Sequence, residues 1–178
     1  MEETSLLFEH LEDPARLIVM IGVMMGLRIG EILGLRVEDL ECGTLHVRRS
    51  WCRGNAGGTK NGKEREIPVP QFLGEALRDY CVQRGTTGWL FVGESGKPLS
   101  DRNLIQRHVY PVAQSLGIPH FSWHSLRHTF SHAGRKRGEY SYSGDETTAR
   151  TFKAEHHRSR YMHDSQVRSV RPCRKSKT

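Results

Sequence analysis

The chain has 178 residues, a length that fits one ordinary domain and leaves little room for a second. Its apolar fraction of 36% with 8% aromatics is low for a globular chain, and 27 basic against 20 acidic residues give a net charge of +7. The most apolar stretch, Leu17 to Leu27, is far shorter than the roughly 20 residues of a membrane span, so it reads as a buried helix and no membrane partner is expected. Both deficits gather at one end. From Ser131 to Thr178 there is no Leu and no Ile, and residues 1–130 hold 15 basic and 15 acidic residues, so the whole excess of +7 falls on 131–178. A basic balance points to a polyanionic partner such as nucleic acid, but here it sits on a segment poor in core-forming residues. The expected organisation is therefore a domain over 1–130 and a degenerate or disordered basic segment over 131–178. Four cysteines without a C-x-x-C pair, and no secretory signal, fit a reducing cytoplasm.

In chain order, Asp13-Pro14 reads as an N-cap followed by proline at the first helical position, opening a helix through about Met25 that Gly26 ends. Ile29, Ile32, Leu33 and Leu35 give a second, short helix beginning at Arg28. Leu45–Val47 and Glu66–Val69 predict strands of a small antiparallel sheet, joined through a Gly-rich stretch from Gly54 to Gly62 that also holds Lys60. Phe72, Ala76, Leu77 and Tyr80 mark a further helix, Trp89–Val92 an extended segment, and Ser100 the cap of a helix that Pro111 interrupts. One more helix opens over Trp123–Phe130. After Gly134 neither the helical nor the strand period is kept, which predicts disorder or poor packing. The fold class is α+β, mainly helical with a small antiparallel sheet.

The strongest chemical signal is His124-Ser125-Leu126-Arg127-His128-Thr129-Phe130. His124 and Arg127 are three apart and share a helix face. A guanidinium grips two phosphate oxygens in its planar fork, and an imidazole beside it can give or take a proton. Spacing alone favours the plainer reading, a solvated helix that carries two histidines and an arginine.

That segment resembles the second signature box of the tyrosine recombinases, the phage integrase family. The first box of the family resembles Gly26-Leu27-Arg28-Ile29-Gly30-Glu31-Ile32-Leu33-Gly34-Leu35 followed by Val37-Glu38-Asp39-Leu40. Thr59-Lys60-Asn61 with Arg65-Glu66-Ile67-Pro68 is similar to the hairpin bearing the family's lysine, and Arg160-Tyr161-Met162-His163 to its tyrosine segment, 34 residues after Arg127. The resemblance implies a catalytic set of Arg28, Lys60, His124, Arg127 and Tyr161, no metal or other cofactor, and double-stranded DNA as partner, with further recombinase subunits assembled on it as a synaptic tetramer. Glu31 and Asp39 read as structural partners of the arginine helix.

Two departures from the family stand out. The third box, Leu-Gly-His about ten residues before the tyrosine, is absent, and His156 and His157 read as part of a solvated run rather than as weak metal ligands. Codons exist for Tyr142–Ser159 that, displaced by one nucleotide, spell Ile-Gln-Glu-Met-Lys-Gln-Leu-Leu-Gly-His-Ser-Arg-Leu-Asn-Thr-Thr-Glu-Val. This is a family-like third box at the right distance, compatible with a frameshift after about Phe130 that is restored near Arg160. Only about 25 residues precede Arg28, where family members carry a DNA-clamping domain, so the chain reads as part of a longer gene. The functional expectation is a site-specific recombinase or integrase domain of a mobile element. Its alternatives are a non-catalytic DNA-binding remnant, a topoisomerase-like relaxing activity, and a small RNA-binding protein for which both arginine boxes are coincidence.

Overall fold

A helix that is apolar almost all round has to be surrounded, and Ala15–Met25 (α2) is the centre about which the other elements pack. The computed structural model describes residues 2–59, 62–118, 121–127 and 129, all within one unit spanning 1–145. In α2, Leu17, Ile18, Val19 and Ile21 are completely enclosed. Gly26, with φ +66°, ends it in the left-handed conformation that glycine reaches without steric cost. Its start differs from expectation. Asp13 does not cap the helix; its carboxylate takes both Nε and Nη2 of Arg16 at 3.0 and 2.7 Å, and Pro14 occupies the cap position. A preceding helix, Glu2–His10 (α1), carries little periodic signal in the sequence and packs on α2, with its Leu7 and the following Leu11 buried in the core.

After Gly26 the chain turns directly into Ile29–Leu33 (α3) with Arg28 at its N-cap, as the spacing predicts. A three-residue 3-10 turn, Val37–Asp39, leads into β1 (Leu40–Glu41) and β2 (Thr44–Val47). The partner of β2 is Arg65–Pro68, the strand expected from sequence, in antiparallel register with Leu45 opposite Ile67. The intervening Gly-rich stretch is not a plain linker. It folds back as a second antiparallel pair, β3 (Arg49–Cys52) with β4 (Asn55–Gly58), whose tip residues Arg53 and Gly54 both have positive φ. Numbering in chain order makes Arg65–Pro68 β5.

The amphipathic helix Gln71–Arg84 (α4) buries Leu73, Leu77 and Tyr80, and Gly85 closes it at φ +57°. Trp89–Val92 is extended as expected: Leu90 donates its N–H to Leu35 O at 2.9 Å, and Leu90 and Phe91 are fully buried. Ser100 caps Asp101–Leu104 (α5), its hydroxyl accepting from Asn103 N at 3.4 Å. Pro111 does not interrupt this helix. The turn Ile105–Val109 widens to i→i+5 bonding, with Tyr110 N donating to Ile105 O, and the helix continues as Tyr110–Ser115 (α6) with proline in its first turn. Proline lacks an N–H and its ring clashes with the carbonyl four residues back; a locally widened turn relieves both.

The result is a mainly helical α+β domain with two small antiparallel sheets. Among the described residues, no helix is long and apolar enough to cross a membrane.

Candidate active site

Arg28 owes its position to two neighbours in sequence. Gly26 turns the chain sharply out of α2, and Leu27, 2% exposed, anchors it in the core, leaving Arg28 at the open end of α3 with 42% of its side chain exposed. Glu31, one turn further, closes the helix start: its carboxylate accepts the Arg28 backbone N–H at 2.8 Å and faces the Arg28 guanidinium at 3.3 Å.

Glu31 reaches across to a second element as well. Arg65, on β5, donates from both terminal nitrogens, Nη1 to Oε1 at 3.1 Å and Nη2 to Oε2 at 2.8 Å. The carboxylate is 2% exposed. Burial pushes the Glu31 carboxyl up, but the Arg65 hydrogen bonds, the Arg28 N–H and the two guanidinium charges outweigh burial and hold it below the ordinary carboxylate value.

The helix is also pressed against the β3–β4 pair. Gly30 and Gly34 lie four apart on one face of α3, and a Cβ on either would meet the backbone of β3: at Gly30, Trp51 O at 3.0 Å; at Gly34, Arg49 O, Ser50 Cα and Trp51 N, all at 3.0 Å. Two small residues at helical spacing thus let the Arg28 helix lie directly on strand backbone. The β3–β4 pair runs on into the turn that contains Lys60. Lys60 and Asn61 lie outside the described residues, but the flanks are defined: Gly62 N donates to Thr59 O at 2.8 Å and the Thr59 hydroxyl donates to Lys63 O at 2.7 Å.

His124 and Arg127 stand on the helical turn 123–127. Ser122 and Ser125 start it by reciprocal capping, each backbone N–H donating to the other's hydroxyl at 3.1 Å. The Trp123 indole N–H donates to Asp101 O at 3.2 Å, tying the turn to α5. Leu126 is buried while His124 is exposed. A Cβ on Gly22 of α2 would lie 3.0 Å from Leu126 Cδ1 and 3.8 Å from Ile32 Cδ1. The residue beside Arg127 and the residue four after Arg28 therefore pack at one point on α2. Both arginine-bearing elements share that support.

Asp39 braces the far end of α3. Its buried carboxylate collects the Arg36 N–H at 2.8 Å, Arg49 Nη1 at 2.8 Å and Arg48 Nη1 at 3.3 Å. It fixes the exit of α3 to the start of β3. Arg36 in turn lies over the Trp89 ring at 4.8 Å, and Trp89 meets Trp51 at 5.5 Å. Sequence reasoning missed the Arg65–Glu31 pair. The residues are 34 apart, and nothing in local spacing links them. The Gly30/Gly34 repeat was the available signal for close helix–strand approach. Tyr161, His156, His157 and all of 131–178 lie outside the described residues. No group of three or more metal-ligating side chains occurs among those described.

The fold superposes on solved recombinase and integrase structures. The crystal structure of the XerA recombinase matches with a TM-score of 0.61 at 23% identity, over 77% of this chain and 49% of that one. The Tn1549 transposon integrase, solved in complex with a circular intermediate DNA, matches with a TM-score of 0.61 at 19% identity, over 76% of this chain and 52% of that one. The model of the Phage integrase family matches residues 1–137, and the chain belongs to that family. Tyrosine recombinase XerC of Methylobacterium sp. (strain 4-46) is 36% identical over 124 residues, which are 67% of this chain and 36% of the relative. The chain thus spans about a third of that relative's length.

Proposed function

We propose that this chain is the catalytic-domain portion of a site-specific recombinase or integrase that binds double-stranded DNA and breaks and rejoins strands through a 3′-phosphotyrosyl intermediate. Tyr161 is the nucleophile: its Oη forms a bond to the scissile phosphorus as the bond to the 5′-oxygen breaks, and the energy of the phosphodiester is kept in the covalent link. Arg28 and Arg127 neutralise the charge that grows on the non-bridging oxygens, a task for preorganised cations in a site that does not have to reorganise. Lys60 gives a proton to the leaving 5′-oxygen, and His124 either takes the tyrosine proton or orients the phosphate. The DNA is held within an assembly of further subunits, in the cytoplasm. The observation that carries the reading is the meeting of Ile32 and Leu126 at Gly22, which gives the two arginine-bearing elements a common support.

A nicked duplex that loses its 5′-hydroxyl fragment on cleavage tests it. A protein–DNA adduct resistant to denaturation is expected with the parent chain and absent with Tyr161→Phe. An adduct that survives Tyr161→Phe removes the nucleophile assignment.

A second reading is favoured by one observation: the family match ends at residue 137, before Tyr161. On this reading the chain is a remnant that grips DNA without cutting it. Binding that weakens steeply with salt, without any covalent product, distinguishes it. The displaced third box belongs with this reading, and the nucleotide sequence across codons 130–162 decides it. If the codons in use exclude the Leu-Gly-His segment, the frameshift explanation is lost.

A further inference from the structure

We infer that Arg65 is a positioning residue, whose fork on Glu31 fixes β5 and the 59–63 turn against the helix that carries Arg28. The inference rests on the reading above, in which that turn and Arg28 act on one phosphate.

The geometry is specific. Both Arg65 bonds to Glu31 are 3.1 Å or shorter, the planar bidentate arrangement that lysine cannot reproduce. The same carboxylate holds the Arg28 N–H at 2.8 Å, so one buried side chain joins the N-cap of α3 to the first residue of β5. Arg65 also stands two residues beyond Lys63, whose carbonyl closes the turn on Thr59. The other links between α3 and this region run through β3, on the incoming side of the turn: the glycine face on its backbone, and Asp39 on Arg49. Among the described hydrogen bonds, those of Arg65 are the only ones that run from the outgoing side directly to α3. β5 is also paired with β2 along its length, which holds the strand in its sheet but not against the Arg28 helix. Without Arg65, β5 keeps its ladder with β2 and loses its direct tie to that helix.

Backbone amide exchange on the full chain tests this without DNA and without activity. In Arg65→Met, exchange at residues 62–66 is expected to rise at least tenfold, with α2 and α4 unchanged, and Arg65→Lys should fall between Met and the parent. Unchanged exchange at 62–66 overturns the inference. So does a uniform rise across α2 and α4, which would make Arg65 a brace of the whole fold.

A second measurement reads the chemistry. On DNA with sulfur in place of the bridging 5′-oxygen, the leaving thiolate needs no proton. Arg65→Met should then recover at least tenfold of its lost cleavage relative to the parent, as Lys60→Ala should if Lys60 supplies the proton. A defect equal on oxygen and sulfur substrates would overturn the positioning role. A parent chain that cuts neither substrate counts against the proposed function, and amide exchange alone then decides the role of Arg65.

Discussion

Gly34 and Ser50 are in backbone contact: a Cβ on Gly34 would stand 3.0 Å from the Ser50 α-carbon, with Arg49 O and Trp51 N equally near. None of these atoms can rotate out of the way. Gly34→Ala should therefore destabilise the domain by about 1–3 kcal/mol, the usual cost of forcing an extra methyl into a packed interface. Gly57→Ala is the control, because nothing lies within 4 Å of its Cβ position. Denaturant melts of the two variants should separate clearly, and equal midpoints would show that the helix can lift off β3 at no cost.

Leu126 tests the shared support on α2. It is 5% exposed and packs over Gly22. Leu126→Ala should cost about 2–4 kcal/mol through lost burial and the cavity left behind. DNA binding should fall with it, because the turn holding His124 and Arg127 loses its anchor. Stability that falls without any change in DNA binding would mean that the arginine is held by something other than this contact.

Asp39 and Glu38 are adjacent carboxylates in opposite environments. Asp39 is 1% exposed and takes two guanidinium groups, whereas the Glu38 side chain is 60% exposed and lies 3.4 Å from Arg36. Asp39→Asn is expected to cost about 2 kcal/mol, since it removes the charge from the hydrogen bonds to two part-exposed guanidinium groups. Glu38→Gln should cost less than about 1 kcal/mol. Paired thermal melts decide this.

The Glu31 carboxyl supplies a pH dependence with a definite sign. Its folded-state pKa lies below the ordinary value of 4.5. The folded state therefore binds fewer protons than the unfolded one in that range, and stability rises with pH there. The contribution is fully present above about pH 4.5 and is lost as pH falls through the lower, folded value. Melts between pH 3 and 6 should show a steeper acid loss in the parent than in Glu31→Gln. Parallel curves would contradict the assignment.

On the proposed function, Arg28→Ala and Arg127→Ala should each weaken DNA binding about equally for all sequences. Each should reduce the slope of log K against log salt by about 1, the signature of a lost phosphate contact. Arg28→Ala should leave the fold intact, because Arg65 keeps its hold on Glu31. An unchanged slope would place Arg28 away from the phosphates.

Local rules reveal what is local. The α3 start at Arg28, the strands β2 and β5, the Ser100 cap and the α4 face all follow from patterns within a dozen residues. The β3–β4 pair was hidden because Asn55–Gly58 has no strand-forming side chains; its order comes from pairing with β3, which lies on α3. Glu31 was legible as a partner of the arginine helix, but its tie to Arg65 depends on tertiary placement. Asp39 was likewise legible as a partner of that helix, but its guanidinium partners Arg48 and Arg49, forward across a turn of the chain, were not.

The widened turn before Pro111 also settles which way the following helix faces. Leu104, Val109 and Ala113 are all buried. At 3.6 residues per turn, a step of five would carry Val109 well round to the other side of the helix from Leu104. The i→i+5 turn brings it back, and the regular step of four to Ala113 then continues the same stripe. The extra residue is absorbed without rotating the buried face. Deleting one residue within 105–108 should thus yield an uninterrupted α-helix that is one residue shorter yet still turned toward the core, provided Pro111 is replaced. In this helix orientation is preserved and length is the adjustable quantity.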